Sequence, residues 1–165
     1  MNISIRQSIF LALLALSTLA VAHTPPPNAR VFFIGLEDGA VVKSPFKVKF
    51  GIEGFGITPA GTTGKIRHTA GHHHLLVDVG RLPDMDAPIP RDANHLHFDK
   101  GETEAVLDLP PGTHTLQLLL GDEAHEPQDP PLLSKKITIR PSIRVVDRPV
   151  KPAVKNHVVR GFRPS

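Results

Sequence analysis

Apolar residues in this chain recur at every second position over short runs that are cut off by Pro, Gly and Asp. No stretch sustains the 3.6-residue period of a capped helix. Residues 46–52 are the clearest run: Phe46, Val48, Phe50 and Ile52 share one face, and Lys47, Lys49 and Gly51 the other. Such a run is a half-buried strand, because successive side chains on a pleated backbone point to opposite sides. Further strands are predicted at 31–34, 72–79, 95–98, 104–109, 113–120 and 133–139. Glu37-Asp38-Gly39 and Pro110-Pro111-Gly112 supply turns. The pattern predicts an all-β fold, a small antiparallel immunoglobulin-like β-sandwich with long loops; a small barrel is the alternative. The loops are 54–71, 82–94 and the polar, Pro-containing stretch 121–131. Ordered loops of that length tend to be functional.

Four segments are expected. Residues 1–22 read as a cleaved signal peptide: Arg6 is the positive start, residues 9–19 are almost wholly apolar, and Ala20-Val21-Ala22 offers small residues for cleavage. The apolar run falls short of the ~20 residues of a membrane-spanning helix, so no transmembrane segment is expected after cleavage and the location is periplasmic or secreted. An uncleaved anchor is the alternative. Residues 23–29, with Pro25-Pro26-Pro27, form an extended leader. Residues 30–140 form the sandwich. Residues 141–165 form a basic tail, predicted to be disordered.

Charge divides along the same line. From 23 to 140 there are twelve Lys/Arg against fifteen Asp/Glu, and from 141 to 165 six against one. The tail could therefore meet an anionic envelope surface. The chain contains no Trp, Tyr or Cys. Without Trp or Tyr a base-stacking surface is not expected, nor a nucleic-acid partner. Without Cys there are no disulfides and no thiolate ligands.

Histidine is the residue type in excess, with ten in the chain. His72 with His74 and His95 with His97 each make a His-x-His pair where a strand meets a long loop. Residues two apart on a strand lie on one face, about 6.5–7 Å apart. Two imidazoles can converge from that distance on one ion with bonds of about 2.0–2.1 Å. If the two segments are neighbours, they supply four nitrogen ligands. His125 could add another, with Asp122 or Glu123 accepting from its other ring nitrogen. His23, as first residue after cleavage at Ala22, would offer its α-amine together with its ring. Imidazole without thiolate suits Cu(II) or Zn(II). His73 and His114 alternate with Leu75, Val77, Leu116 and Leu118 and are read as buried and structural. His72 and His74 are expected to face away from the core that Leu75 and Val77 face.

The stretches Gly71-His72-His73-His74-Leu75, His95-Leu96-His97-Phe98 and Leu109-Pro110-Pro111-Gly112-Thr113-His114 resemble a bacterial exported family classed as a domain of unknown function and noted for its GHHHL motif. The resemblance runs from about residue 30 to 139. It implies an exported single-domain protein and no established activity. In the family's pattern the stretch after His125 often holds a further His, where this chain has Gln128. A looser, fold-level analogy is to CopC-type periplasmic copper carriers.

These features point to an exported, histidine-rich, divalent-metal-binding protein of the copper or zinc carrier or buffer type. The competing readings are an envelope scaffold or adhesion domain with structural histidines, and a small metal-dependent hydrolase. The sequence contains no nucleophile elbow, phosphate-binding loop or dinucleotide fingerprint, and no catalytic residue is assigned.

Overall fold

The strand that carries the three consecutive histidines lies inside its sheet, with strands on both sides, and is buried from end to end. In the structure, a computed structural model that describes residues 24–143, this strand is Ala70–Val77, and all eight of its residues are buried. The expectations for residues 1–22, for His23 and for the tail beyond 143 lie outside the described residues.

Among the described residues nine strands form two sheets: β1 (Arg30–Phe33), β2 (Ala40–Ser44), β3 (Phe46–Glu53), β4 (Gly56–Ile57), β5 (Ala70–Val77), β6 (His95–His97), β7 (Glu104–Leu107), β8 (His114–Gly121) and β9 (Ile137–Ile143). One sheet has the order β1-β3-β7. The other has the order β2-β9-β8-β5-β4, with β6 also paired to β5. The pairings are antiparallel except β2 with β9 and β4 with β5. The fold is all-β and sandwich-like, as the alternation predicts. Among the described residues no helix is long and apolar enough to cross a membrane.

Val31, Val48 and Phe50 of the first sheet pack on Leu75, Val77, Leu116, Leu118, Leu120 and Ile139 of the second in one apolar cluster. Burying each such side chain is worth about 1.5–3 kcal/mol, and this layer holds the sheets together. Phe32 lies across Gly51, where an added Cβ would collide with its ring. That is why the polar face of the alternating run carries a glycine between its lysines and Glu53.

Several boundaries differ from the expectation. β2 has no counterpart in the sequence reading, because Val41 and Lys43 point to solvent and only Ala40, Val42 and Ser44 are partly covered. The loop 54–71 contains β4, a short 3-10 turn (Lys65–His68) and the start of β5. The closing strand begins at Ile137 rather than Leu133. It continues to Ile143, pairing Val42 with Pro141, Lys43 with Ser142 and Ser44 with Ile143. The sandwich thus extends three residues into the segment assigned to the tail.

The second sheet has a covered outer face. Leu76, Val79, Ile89 and Leu119 form a smaller cluster there, with Met85 and Leu133 against it. The residues that cover it come from the long loops after β5 and β8. This explains the burial of β5 on both faces. The alternation shows which residues share a face but not that loops fold over the second one.

Candidate metal centre

Register brings the histidines together. In the antiparallel pairing of β5 with β6, His74 lies directly opposite His97 and Leu76 opposite His95. In the pairing of β5 with β8, His72 lies opposite Gly121 and His74 opposite Leu119. His72, His74 and His97 therefore share the outer face, opposite the one that Leu75 gives to the core. The two His-x-His segments are neighbours, and the facing of His72 and His74 is as expected. Their exposure is not: both are 0% exposed, closed over by the loops.

His125 completes the group from the loop after β8. It adopts a left-handed backbone, φ 67°, at the tip of a tight turn. Asp122 Oδ1 accepts from the amides of Ala124 (2.8 Å) and Glu126 (2.9 Å), and the Asp122 amide donates to Glu126 O (2.8 Å). Ring centroids lie 4.6 Å apart for His72–His74, 4.3 Å for His74–His97, 4.8 Å for His72–His125 and 5.1 Å for His97–His125. One ligand atom from each of His72, His74 and His125 falls within 4.8 Å of the others, and the same holds for His97, Asp99 and His125. A tetrahedral ion with bonds of about 2.0–2.1 Å needs nitrogens about 3.4 Å apart.

Gly121 makes the room. A Cβ there would stand 2.5 Å from Cε1 of His74, so the ring occupies space that any other residue would fill. Gln128, three residues after His125, is buried. Its amide nitrogen donates to Leu120 O at 2.7 Å in the orientation that satisfies both ends. It braces β8 beside the cluster.

Both ring nitrogens of His72 and of His74, and Nδ1 of His97, are buried with no hydrogen-bond partner among the described residues. Each unsatisfied buried polar atom costs about 1–3 kcal/mol. Five such atoms weigh against a folding free energy of only about 5–15 kcal/mol. His97 shows which nitrogen is poised to bind. Its Nε2 lies 2.8 Å from Pro90 O and must donate, because a carbonyl oxygen only accepts. The lone pair is therefore on Nδ1, the unpartnered nitrogen, and a ligating histidine anchored through its other N–H to a carbonyl is the usual arrangement at metal sites.

The electrostatics keep these rings neutral. Burial, and next the neighbouring His125, push the His72 imidazole down to about 4. Burial, then His72, His97 and His125, push His74 to about 2. Burial also lowers His97, against the Pro90 carbonyl, which raises it. A neutral imidazole is the form that binds a metal. Partial burial raises the Asp99 carboxyl, but bonds to Arg91 and His125 outweigh that and hold it below its ordinary value.

The other predicted ligands lie apart. His95 is on the same face, but its Nδ1 is 2.8 Å from Asp92 Oδ1, and it belongs to neither ligand group. The carboxylate facing His125 Nε2 is Asp99, at 3.2 Å. Glu123 pairs with Arg67 at 3.2 Å, and Asp122 supports the turn. His73 is buried in the core with its ring 5.3 Å from that of Phe50. Nδ1 of His114 bonds Asp78 at 2.7 Å, and its Nε2 bonds Pro110 O at 3.0 Å. Asp99 was missed, although extending the period from His95 and His97 reaches it. Arg91 and Pro90 lie in an irregular loop, where no periodicity points to them.

The sequence profile of the family described as Domain of unknown function (DUF4399) matches residues 48–141, a span that contains β5, β6, β8 and His125. No curated protein and no solved structure matches the chain.

Proposed function

For this chain, which belongs to the DUF4399 domain-of-unknown-function family, we propose that the domain binds one divalent transition-metal ion through His72, His74, His97 and His125, and acts as an exported copper or zinc carrier or buffer. One observation carries the reading: four imidazoles from three separate segments gather on one covered face, and five of their ring nitrogens are buried without a partner. Missing partners alone do not mark a ligand, since both ring nitrogens of core-facing His73 also lack one among the described residues; the convergence of four rings on one face does, and His114, with both nitrogens bonded, stands outside it. Clustered imidazoles beside a carboxylate are a cation site by their chemistry. Imidazole nitrogens with the Asp99 carboxylate beside them favour Zn(II) or Cu(II). The deep placement of His72 and His74 suits holding an ion more than turning over a substrate. Export and an anionic partner for the tail remain part of the proposal through residues 1–22 and 144–165.

Calorimetric titration with Zn(II) and Cu(II) tests it. The protein should take up one ion saturably, the His72→Ala/His97→Ala double variant should lose that binding, and His95→Ala should retain it. Equal weak uptake by all three proteins would return the cluster to a structural role. Saturable binding that survives the double substitution would move the site elsewhere, with His23 and its α-amine first in line.

A further inference from the structure

The cluster meets solvent on one side. His72 and His74 are 0% exposed and the His97 side chain 2%, whereas the His125 side chain is 26% exposed and that of Asp99 41%. An ion must arrive past Asp99 and His125, and there stands Arg91. Its Nη2 donates to Asp99 Oδ2 at 2.7 Å and lies 3.3 Å from His125 Nε2. That same Nε2 is 3.2 Å from Asp99 Oδ1. Asp99 accepts from both neighbours, from Arg91 at Oδ2 and, with the ring proton on Nε2, from His125 at Oδ1. Arginine is always protonated, so a fixed positive charge rests on this carboxylate.

Arg91 also belongs to a strap tied to the cluster at three consecutive residues. The Ile89 amide donates to His125 O at 2.8 Å, Pro90 O accepts from His97 Nε2 at 2.8 Å, and Arg91 reaches Asp99 and His125. The strap fixes His97 in the tautomer that leaves Nδ1 free, and it places a guanidinium on the ligand atoms nearest solvent.

We propose that Arg91 is the gate of this site: its guanidinium competes with the metal ion for Asp99 and His125, and must swing aside as the ion binds. The proposal rests on the metal reading above. A dication and a guanidinium sharing one carboxylate at such distances repel each other, so the wild-type protein holds its ion less tightly than its donor set allows. That weakening suits a protein that must hand its ion on. Arg91 is a positioning and affinity-setting residue, not a ligand.

The test is a charge series at one position, wild type against Arg91→Gln and Arg91→Glu. Zn(II) affinity is measured by calorimetry and by competition with a chelator of known strength, with Cu(II) in parallel. Affinity should rise from Arg to Gln to Glu, the first step by at least tenfold. Thermal unfolding of the metal-free variants should change little, because the Arg91–Asp99 pair is a surface ion pair with side chains 60% and 41% exposed. Unchanged or weaker binding by Arg91→Gln, with the wild type binding one ion, would overturn the gate and make Arg91 a support for Asp99. Failure of Arg91→Gln to fold would make the residue structural and overturn it equally. An absence of saturable binding in the wild type would instead refute the metal reading, and the gate with it.

Discussion

Acidifying the metal-free protein should unfold it well above the range where its carboxylates titrate. Burial pushes His72 and His73 to about 4, and His74 to about 2. In the unfolded chain each titrates near about 6.5. The folded value lies below the unfolded one, so the unfolded chain takes up protons that the folded protein refuses. Stability is therefore whole above about pH 6.5 and falls as the pH drops toward about 4. At pH 5 each ring has lost about 2 kcal/mol of differential stability, about 6 kcal/mol for three, and the slope approaches about 4 kcal/mol per pH unit. His97 shifts the same way and adds to the effect. Asp99, held below its ordinary value, contributes stability that is lost only under about pH 4, outside this window. Set against a total of about 5–15 kcal/mol, the metal-free domain should be close to unfolding at pH 5. Urea titrations with a chelator present, between pH 7.5 and 5, measure the slope. His73→Leu, which leaves the outer-face histidine cluster untouched, should remove about a third of it. A slope worth less than one proton would show that these rings are not buried and neutral together, and the argument for the site would fall with it.

The remaining expectations follow from particular contacts. Gly121→Ala puts a methyl group 2.5 Å from His74 Cε1; it should cost about 1–3 kcal/mol and weaken metal binding, read by urea denaturation and calorimetry. Truncation after Ile143 should leave the melting temperature within about a degree or two. Truncation after Arg140 removes three pairs with β2 and should lower it by several degrees, since about 1 kcal/mol is worth about 4–8 °C in a small domain. Adding Zn(II) at a hundredfold excess over its dissociation constant should raise stability by about 2.7 kcal/mol, an increment that chelation removes and that the His72→Ala/His97→Ala variant lacks.

Local periodicity carried the strands and failed where a third dimension was needed. The alternation of Phe46, Val48, Phe50 and Ile52 against Lys47 and Lys49 reads directly as β3, because one face is in the core and the other in water. The same rule assigns His72 and His74 to the face opposite Leu75. It says nothing of what lies over that face, since Ile89 and Met85 come from a loop without period. β2 escaped because its Val41 and Lys43 are both exposed, so it lacks the contrast between apolar and polar faces. Of the paired His-x-His residues, His72, His74 and His97 come together in the structure, and His125 joins them from the polar loop. His95 shares the spacing but sits opposite Leu76 rather than His74, two pairs further along the ladder, and beside Asp92. Register is a relation between two strands, and neither strand alone contains it.

The parallel ladder between β2 and β9 has a mechanical side. Its five residue pairs run from Ala40 with Ile139 to Ser44 with Ile143. A pull on the chain leaving Ile143 acts along β9, while resistance from the part of the molecule before Ala40 acts along β2 in the opposite sense. The pairs are thereby loaded in shear, all at once, instead of being peeled one after another. Forced separation then depends on the rate of crossing one concerted barrier. A tension carried through the basic C-terminal segment would meet this clamp first, two strands away from the histidines of β5, and would leave the histidine cluster in place until the clamp gave way.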